Sequence, residues 1–99
     1  MTTKKIIQSF INGNKVAMFS KSFCPFCDMA KKVLSKAGVK NLAVLELDLL
    51  ENGSKIQDEL VNFTKMKTVP QVFINEKFIG GGTDVKKLFE SGKLVKQLK

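Results

Sequence analysis

Apolar residues recur through the first twelve positions at helical spacing. Ile6, Ile7, Phe10 and Ile11 share one face and Gly13 follows as a stop, which predicts a short amphipathic helix over residues 4–12. The period then changes: Val16 to Phe19 is a compact apolar run, the mark of a buried strand. After Pro25 the helical spacing returns, with Met29, Ala30, Val33, Leu34 and Ala37 on one face, Lys31, Lys32 and Lys36 on the other, and Gly38 at the end. Leu42 to Leu47 reads as a second strand, and strand, helix, strand implies a parallel pair joined by a right-handed crossover.

Ser54-Lys55-Ile56-Gln57 has the form of a capping box opening a third helix, whose stripe is Ile56, Leu60, Val61 and Phe63 and whose end falls near Thr64. Val69 to Ile74 and Lys77 to Ile79 flank Asn75-Glu76 as a β-hairpin. Beyond Gly80-Gly81-Gly82, Thr83 or Asp84 is placed to cap a helix with Val85, Leu88 and Phe89 inward, and Leu94, Val95 and Leu98 suggest a last turn or two. The order α-β-α-β-α-β-β-α predicts an α/β fold: a four-stranded mixed β-sheet flanked by helices, with residues 15–20 central and the second strand at an edge. At 99 residues, one domain over 1–99 is expected.

Composition adds limits. Apolar residues are 43% and charged residues 26%, the balance of a globular protein. The longest apolar stretch is broken by Glu46 and Asp48, far short of the roughly 20 residues that span a bilayer. No secretory signal core stands near Met1, so a reducing compartment, the cytoplasm, is expected. The net charge of +8 rests on scattered lysines in runs no longer than two, without Tyr or Trp to stack on bases. Solvated faces explain them better than a nucleic-acid site, although small anionic substrates suit such a surface. There is no histidine, so acid, base and ligand roles fall to thiols, carboxyls and amines.

Both cysteines lie in Lys21-Ser22-Phe23-Cys24-Pro25-Phe26-Cys27. Proline favours the first helical position, which puts Cys24 at the N-cap, facing unpaired amides and the positive end of the helix dipole. That place favours an anion, so Cys24 is the expected nucleophile, with Lys21 as a nearby cation. Cys27 lies one turn on, on the same face and deeper in the helix, as the expected resolving thiol. A structural disulfide across so short a loop stabilises little, and two thiols without histidine do not complete a zinc site, so no metal is expected. Pro70, in Thr68-Val69-Pro70, is either a strand-start proline or a cis proline that turns the Val69 backbone outward. The three glycines at 80–82 read as a bend where backbone approaches something closely.

Lys21 ahead of Cys24-Pro25-Phe26-Cys27, then Thr68-Val69-Pro70, then Gly80-Gly81 followed by Asp84 resemble, in order and spacing, the motifs of the glutaredoxins, a thioredoxin-fold family, from about Lys4 to Leu98. The resemblance implies a glutathione-dependent thiol-disulfide oxidoreductase of the dithiol class, acting on glutathionylated or disulfide-containing proteins, with glutathione as co-substrate and the chain as a monomer. It implies that the Val69 backbone, with Pro70 in cis, holds the cysteinyl part of glutathione. Lys21, Gln57 and Lys67 would face its glycine carboxylate; Thr83 and Asp84, beside Gly81, would hold the γ-glutamyl end. Charge agrees, because glutathione carries two carboxylates and one amine. Each of these residues also has a plain role: Gln57 and Asp84 as helix caps, Lys67 as a solvated lysine.

Three positions depart from the family pattern. Phe26 replaces a frequent tyrosine and keeps a flat apolar wall, Lys67 replaces a frequent arginine and gives up its fork, and Gly82 stands where larger residues are common. A thioredoxin-like reductase is disfavoured by the lack of Trp before Cys24 and by Gly80-Gly81 with Asp84. An iron-sulfur carrier is disfavoured by Pro25, which stiffens the loop.

Overall fold

The structure, a computed structural model, describes residues 2–99. Helix α1 (Thr3–Asn12) is opened by Thr2, whose side chain accepts from the Lys5 amide, and it buries Ile7 and Ile11, one turn apart. Strand β1 (Val16–Ser20) is buried at all five positions. Then follow α2 (Pro25–Lys36), β2 (Ala43–Glu46), a 3-10 turn over Leu47–Leu49, α3 (Gly53–Thr64), β3 (Gln71–Ile74), β4 (Lys77–Gly80), α4 (Gly82–Glu90) and α5 (Lys93–Gln97). Among the described residues no helix is long and apolar enough to cross a membrane.

The strands are ordered β2-β1-β3-β4, with β1 parallel to β2 and antiparallel to β3, so the predicted mixed sheet is present with β1 interior and β2 at an edge. The hairpin turns at Asn75 and Glu76, both at positive φ, the two-residue geometry that suits strand twist. Helices cover both faces, which is why β1 and β3 are apolar on both sides instead of alternating. Val16, Met18, Val72 and Ile74 pack with Ala30, Val33, Leu34, Val85 and Leu94 on one face. Ala17, Phe19 and Phe73 pack with Ile7, Ile11, Ile56 and Leu60 on the other, where Phe19 meets Phe10 and Phe73 edge to face at 5.2 and 5.9 Å.

Two expected caps are not formed. Helix α3 begins at Gly53 after Asn52, so Ser54 lies inside the helix and no capping box with Gln57 exists. The start is moved by tertiary contact: a Cβ on Gly53 would stand 1.8 Å from the Leu47 carbonyl oxygen, so only glycine lets the helix begin against that turn. Helix α4 is capped by Gly81, with Thr83 and Asp84 already in its first turn. The Asp84 carboxylate reaches back to accept from the Gly81 amide at 3.0 Å.

Candidate active site

The thiols occupy the carboxyl end of β1, where open α/β sheets carry their sites. Cys24 is the N-cap of α2 and Pro25 its first residue, as the sequence predicts. The Cys27 amide donates to Cys24 Sγ at 3.2 Å, an arrangement suited to an anionic sulfur. The loop before it is held from both sides. The Cys24 amide donates to the Lys21 carbonyl at 3.3 Å. The Ser22 amide donates to Asp48 Oδ1 at 2.8 Å and the Ser22 hydroxyl to Asp48 Oδ2. These bonds hold the Asp48 carboxyl below its ordinary range, helped by the Lys21 charge.

Cys27 is fully buried. Burial, then its contact with the Cys24 thiol, pushes its pKa up to about 11, against the opposing effect of the Ser20 hydroxyl and the Lys21 backbone. The two thiols therefore differ in the sense that the sequence implies: one at an open helix end, the other covered. Both are free in this structure.

Beside Cys24 lies a groove of about 340 Å³ lined by Phe26, Met66, Thr68, Val69, Pro70, Gly81, Gly82, Thr83 and Asp84. Cys24 Sγ is 3.9 Å from the Val69 carbonyl oxygen in its wall, and the Val69–Pro70 bond is cis. Eight of the residues singled out from sequence thus meet in one wall or another: Phe26, Thr68, Val69, Pro70, Gly81, Gly82, Thr83 and Asp84. Lys21, Gln57 and Lys67 are not among its lining residues. Gln57 instead donates from Nε2 to the Lys67 carbonyl at 2.8 Å, tying α3 to the loop that precedes Pro70. The Lys67 ammonium lies 3.5 Å from Asp58, both well exposed. Among the described residues no group of three Cys, Asp or Glu side chains gathers in a way that could hold a metal ion.

The family model described as Glutaredoxin matches residues 16–79, from β1 through both thiols and Pro70 into β4. The chain belongs to the glutaredoxin family. It is 47% identical over 95 residues to "Glutaredoxin-2" of Schizosaccharomyces pombe, covering 96% of this chain and 86% of that protein. It is 48% identical over 89 residues to "Glutaredoxin-2, mitochondrial" of Homo sapiens, covering 90% of this chain but only 54% of that one. Among solved structures, a buckwheat glutaredoxin-glutathione complex superposes with a TM-score of 0.92 at 36% identity, over 97% of this chain and 86% of that one. Family membership makes the chain a glutathione-dependent thiol oxidoreductase of thioredoxin-like fold.

Two residues of this glutaredoxin site escape pattern reading. Gln71, fully buried at the start of β3, donates from Nε2 to the Met66 and Thr68 carbonyls at 2.8 and 2.9 Å and accepts from Thr64 Oγ1 at 2.9 Å. It fixes the loop that forms one wall of the groove. Met66 lines that wall without any motif to mark it. Gly82, by contrast, lies where the sequence places a close backbone approach: it lets α4 contact α2, because a Cβ there would lie 3.0 Å from the Phe26 carbonyl oxygen. The signal for Gln71 was available as an amide beside Pro70 in an otherwise apolar strand.

Proposed function

We propose that the chain is a dithiol glutaredoxin that reduces protein-glutathione mixed disulfides and protein disulfides, with Cys24 as nucleophile and Cys27 as resolving thiol. The observation that carries this reading is the placement of Cys24 Sγ: on a helix N-cap, with an amide at 3.2 Å, beside a groove of tripeptide scale. The Cys24 thiolate attacks the glutathione sulfur of a mixed disulfide and the protein thiolate leaves. A second glutathione thiolate then attacks the Cys24-bound sulfur and departs as glutathione disulfide, restoring Cys24. In the dithiol branch Cys27 attacks Cys24 Sγ, expels the leaving thiol and closes a Cys24–Cys27 disulfide, which two glutathiones reduce. Cys27, held protonated by burial, suits the waiting role.

In this reading the Val69 backbone pairs with the cysteinyl part of glutathione. The first-turn amides of α4, at Thr83 and Asp84, receive the γ-glutamyl carboxylate, and the Asp84 oxygen not used by Gly81 faces its amine. Lys21 and Lys67 act on the glycine carboxylate from outside the groove walls, while Gln57 acts by holding the Lys67 backbone. The protein works as a monomer, and a cytoplasmic location is part of the proposal, to be checked by fractionation because several relatives are named mitochondrial. The coupled assay with glutathione and glutathione reductase tests the chemistry. Cys24→Ser should lose all turnover while Cys27→Ser still reduces glutathione mixed disulfides; full turnover by Cys24→Ser would falsify the assignment.

A further inference from the structure

The resolving thiol lies against a polar patch at one end of the layer between the sheet and α2. Along β1 the side chains alternate, and Val16 and Met18 share a cluster with Cys27, Ala30, Val33 and Leu34, so Ser20 faces α2 as well. On β2, Leu45 belongs to the opposite cluster, which turns Glu46 to the α2 side, and Glu46 is the register partner of Ser20. Four groups therefore meet there: the Cys27 thiol, the Ser20 hydroxyl, the Lys31 ammonium and the Glu46 carboxylate. Lys31, expected on the polar face of α2, instead stands one turn beyond Cys27 on the side toward β2, only partly exposed, because its Nζ pairs with Glu46 Oε2 at 2.9 Å. Ser20 is fully buried and its hydroxyl donates to the Lys21 carbonyl at 3.3 Å, in the loop that leads to Cys24. The other Glu46 oxygen, Oε1, is buried and has no hydrogen-bond partner among the described residues.

A pair that served only to pin α2 to β2 would be expected to satisfy both oxygens or leave the second in water. Here it leaves one out, in the same patch as a thiol that must ionise to react. We propose that the Lys31–Glu46 pair sets the ionisation of Cys27, which makes both residues positioning groups for the resolving step. The proposal rests on the reading of Cys27 as resolving thiol. In that step the Cys27 S–H gives up its proton, its sulfur pair forms the bond to Cys24 Sγ, and the bond from Cys24 to glutathione sulfur breaks. Glutathione leaves as thiolate and takes up a proton, so no outside oxidant is needed. Lys31 is the countercharge for the passing Cys27 thiolate. Glu46 hydrogen-bonds Lys31 and holds it protonated, with smaller contributions from Asp28 and Cys27. Glu46 opposes the thiolate, which keeps Cys27 protonated until a disulfide arrives. The groups of β3 and α4 in the same cluster, Val72, Ile74 and Val85, carry no charge.

The experiment uses the Cys24→Ser protein, in which Cys27 is the sole thiol, and reads its titration by thiolate absorbance and by alkylation rate against pH. Lys31→Met should raise the Cys27 pKa and slow alkylation at fixed pH by about tenfold, the effect of one unit on the thiolate fraction. Glu46→Gln should shift it the other way, and Lys31→Arg should restore it. A merely structural pair moves both variants in the same direction, because either substitution loosens the same contact. Shifts of the same sign, or no shift in either variant, overturn the proposal. With Cys24 present, stopped-flow release of glutathione from the Cys24 mixed disulfide should slow in Lys31→Met by a similar factor. If no mixed disulfide forms at all, the functional reading fails, while the Cys24→Ser titration still decides the role of the pair.

Discussion

Gln71→Met removes the amide that holds the groove wall while keeping its length and volume. Two donated bonds are lost, to the Met66 and Thr68 carbonyls, and one accepted from Thr64. The Thr64 hydroxyl is 3.1 Å from the Leu60 carbonyl and 3.2 Å from that of Met66, so it turns to one of these and is not left unpaired. The exposed Thr68 can offer its carbonyl to water. The net loss is thus close to two neutral hydrogen bonds, about 2 kcal/mol, less a fraction returned by the more apolar side chain. Urea unfolding should show a lower midpoint with an unchanged slope. In the coupled glutathione assay KM for a glutathione mixed disulfide should rise, since Thr68, Val69 and Pro70 belong to the loosened wall, while the Cys24 alkylation rate stays as it was. A Gln71→Met protein as stable as wild type, with the same KM, would show that the loop is held by something other than this amide.

Three further outcomes follow from single contacts. Gly53→Ala, a change that favours most helices, should here cost about 3 kcal/mol in urea unfolding, because its Cβ meets the Leu47 carbonyl; a stabilised Ala variant would contradict the close approach. Asp48 has a folded-state pKa lowered by Ser22, so its contribution is present above the unfolded carboxyl value of about 3.9 and is lost as pH falls through the folded value. Asp48→Asn should therefore flatten the fall in urea midpoint on the acid side and leave the slope of stability against pH unaltered near neutrality. Gly82→Ala should displace Phe26 instead of unfolding the protein, seen as a loss of about 1 kcal/mol in thermal unfolding together with a raised KM for glutathione.

What the sequence discloses and what it hides divide along one physical line. Cys24 at a helix N-cap is legible because Pro25 has a strong preference for the first helical position and the preference is local. Asn75-Glu76 is legible as a hairpin because the apolar runs on either side leave just two residues to turn in. The starts of α3 and α4 are misplaced by two or three residues because Ser54, Thr83 and Asp84 all look like caps. The cap actually used is chosen by a partner elsewhere: the Leu47 carbonyl against Gly53, and the Asp84 carboxylate reaching back to the Gly81 amide. The grip of Asp48 on Ser22 spans 26 residues, and no spacing rule announces it. Gln57 has the right type for a glutathione contact and spends its amide on the Lys67 backbone, a choice that only the folded loop reveals.

The distribution of buried polar groups explains why so apolar a sheet supports chemistry at one end only. Among the described residues the buried polar side chains are Ser20, Thr64 and Gln71. Ser20 closes β1 and is paired in register with Glu46, while Gln71 opens β3 opposite Phe19, so these groups lie across the same edge of the sheet. Away from that edge, Val16 to Phe19 and Val72 to Ile74 are buried without a polar atom in their side chains, apart from the sulfur of Met18. The apolar rows supply stability that tolerates the polar edge, where desolvated hydrogen bonds are strong and an unpaired group is costly. Each polar group at the edge fixes something that the reaction uses: Ser20 holds the Lys21 carbonyl in the loop before Cys24, Gln71 fixes the loop carrying Val69 and Pro70, and Glu46 holds Lys31. Exchanging any of them for an apolar residue of equal volume should therefore alter activity as well as stability, whereas a volume-conserving exchange at Met18 or Val72 should alter stability alone.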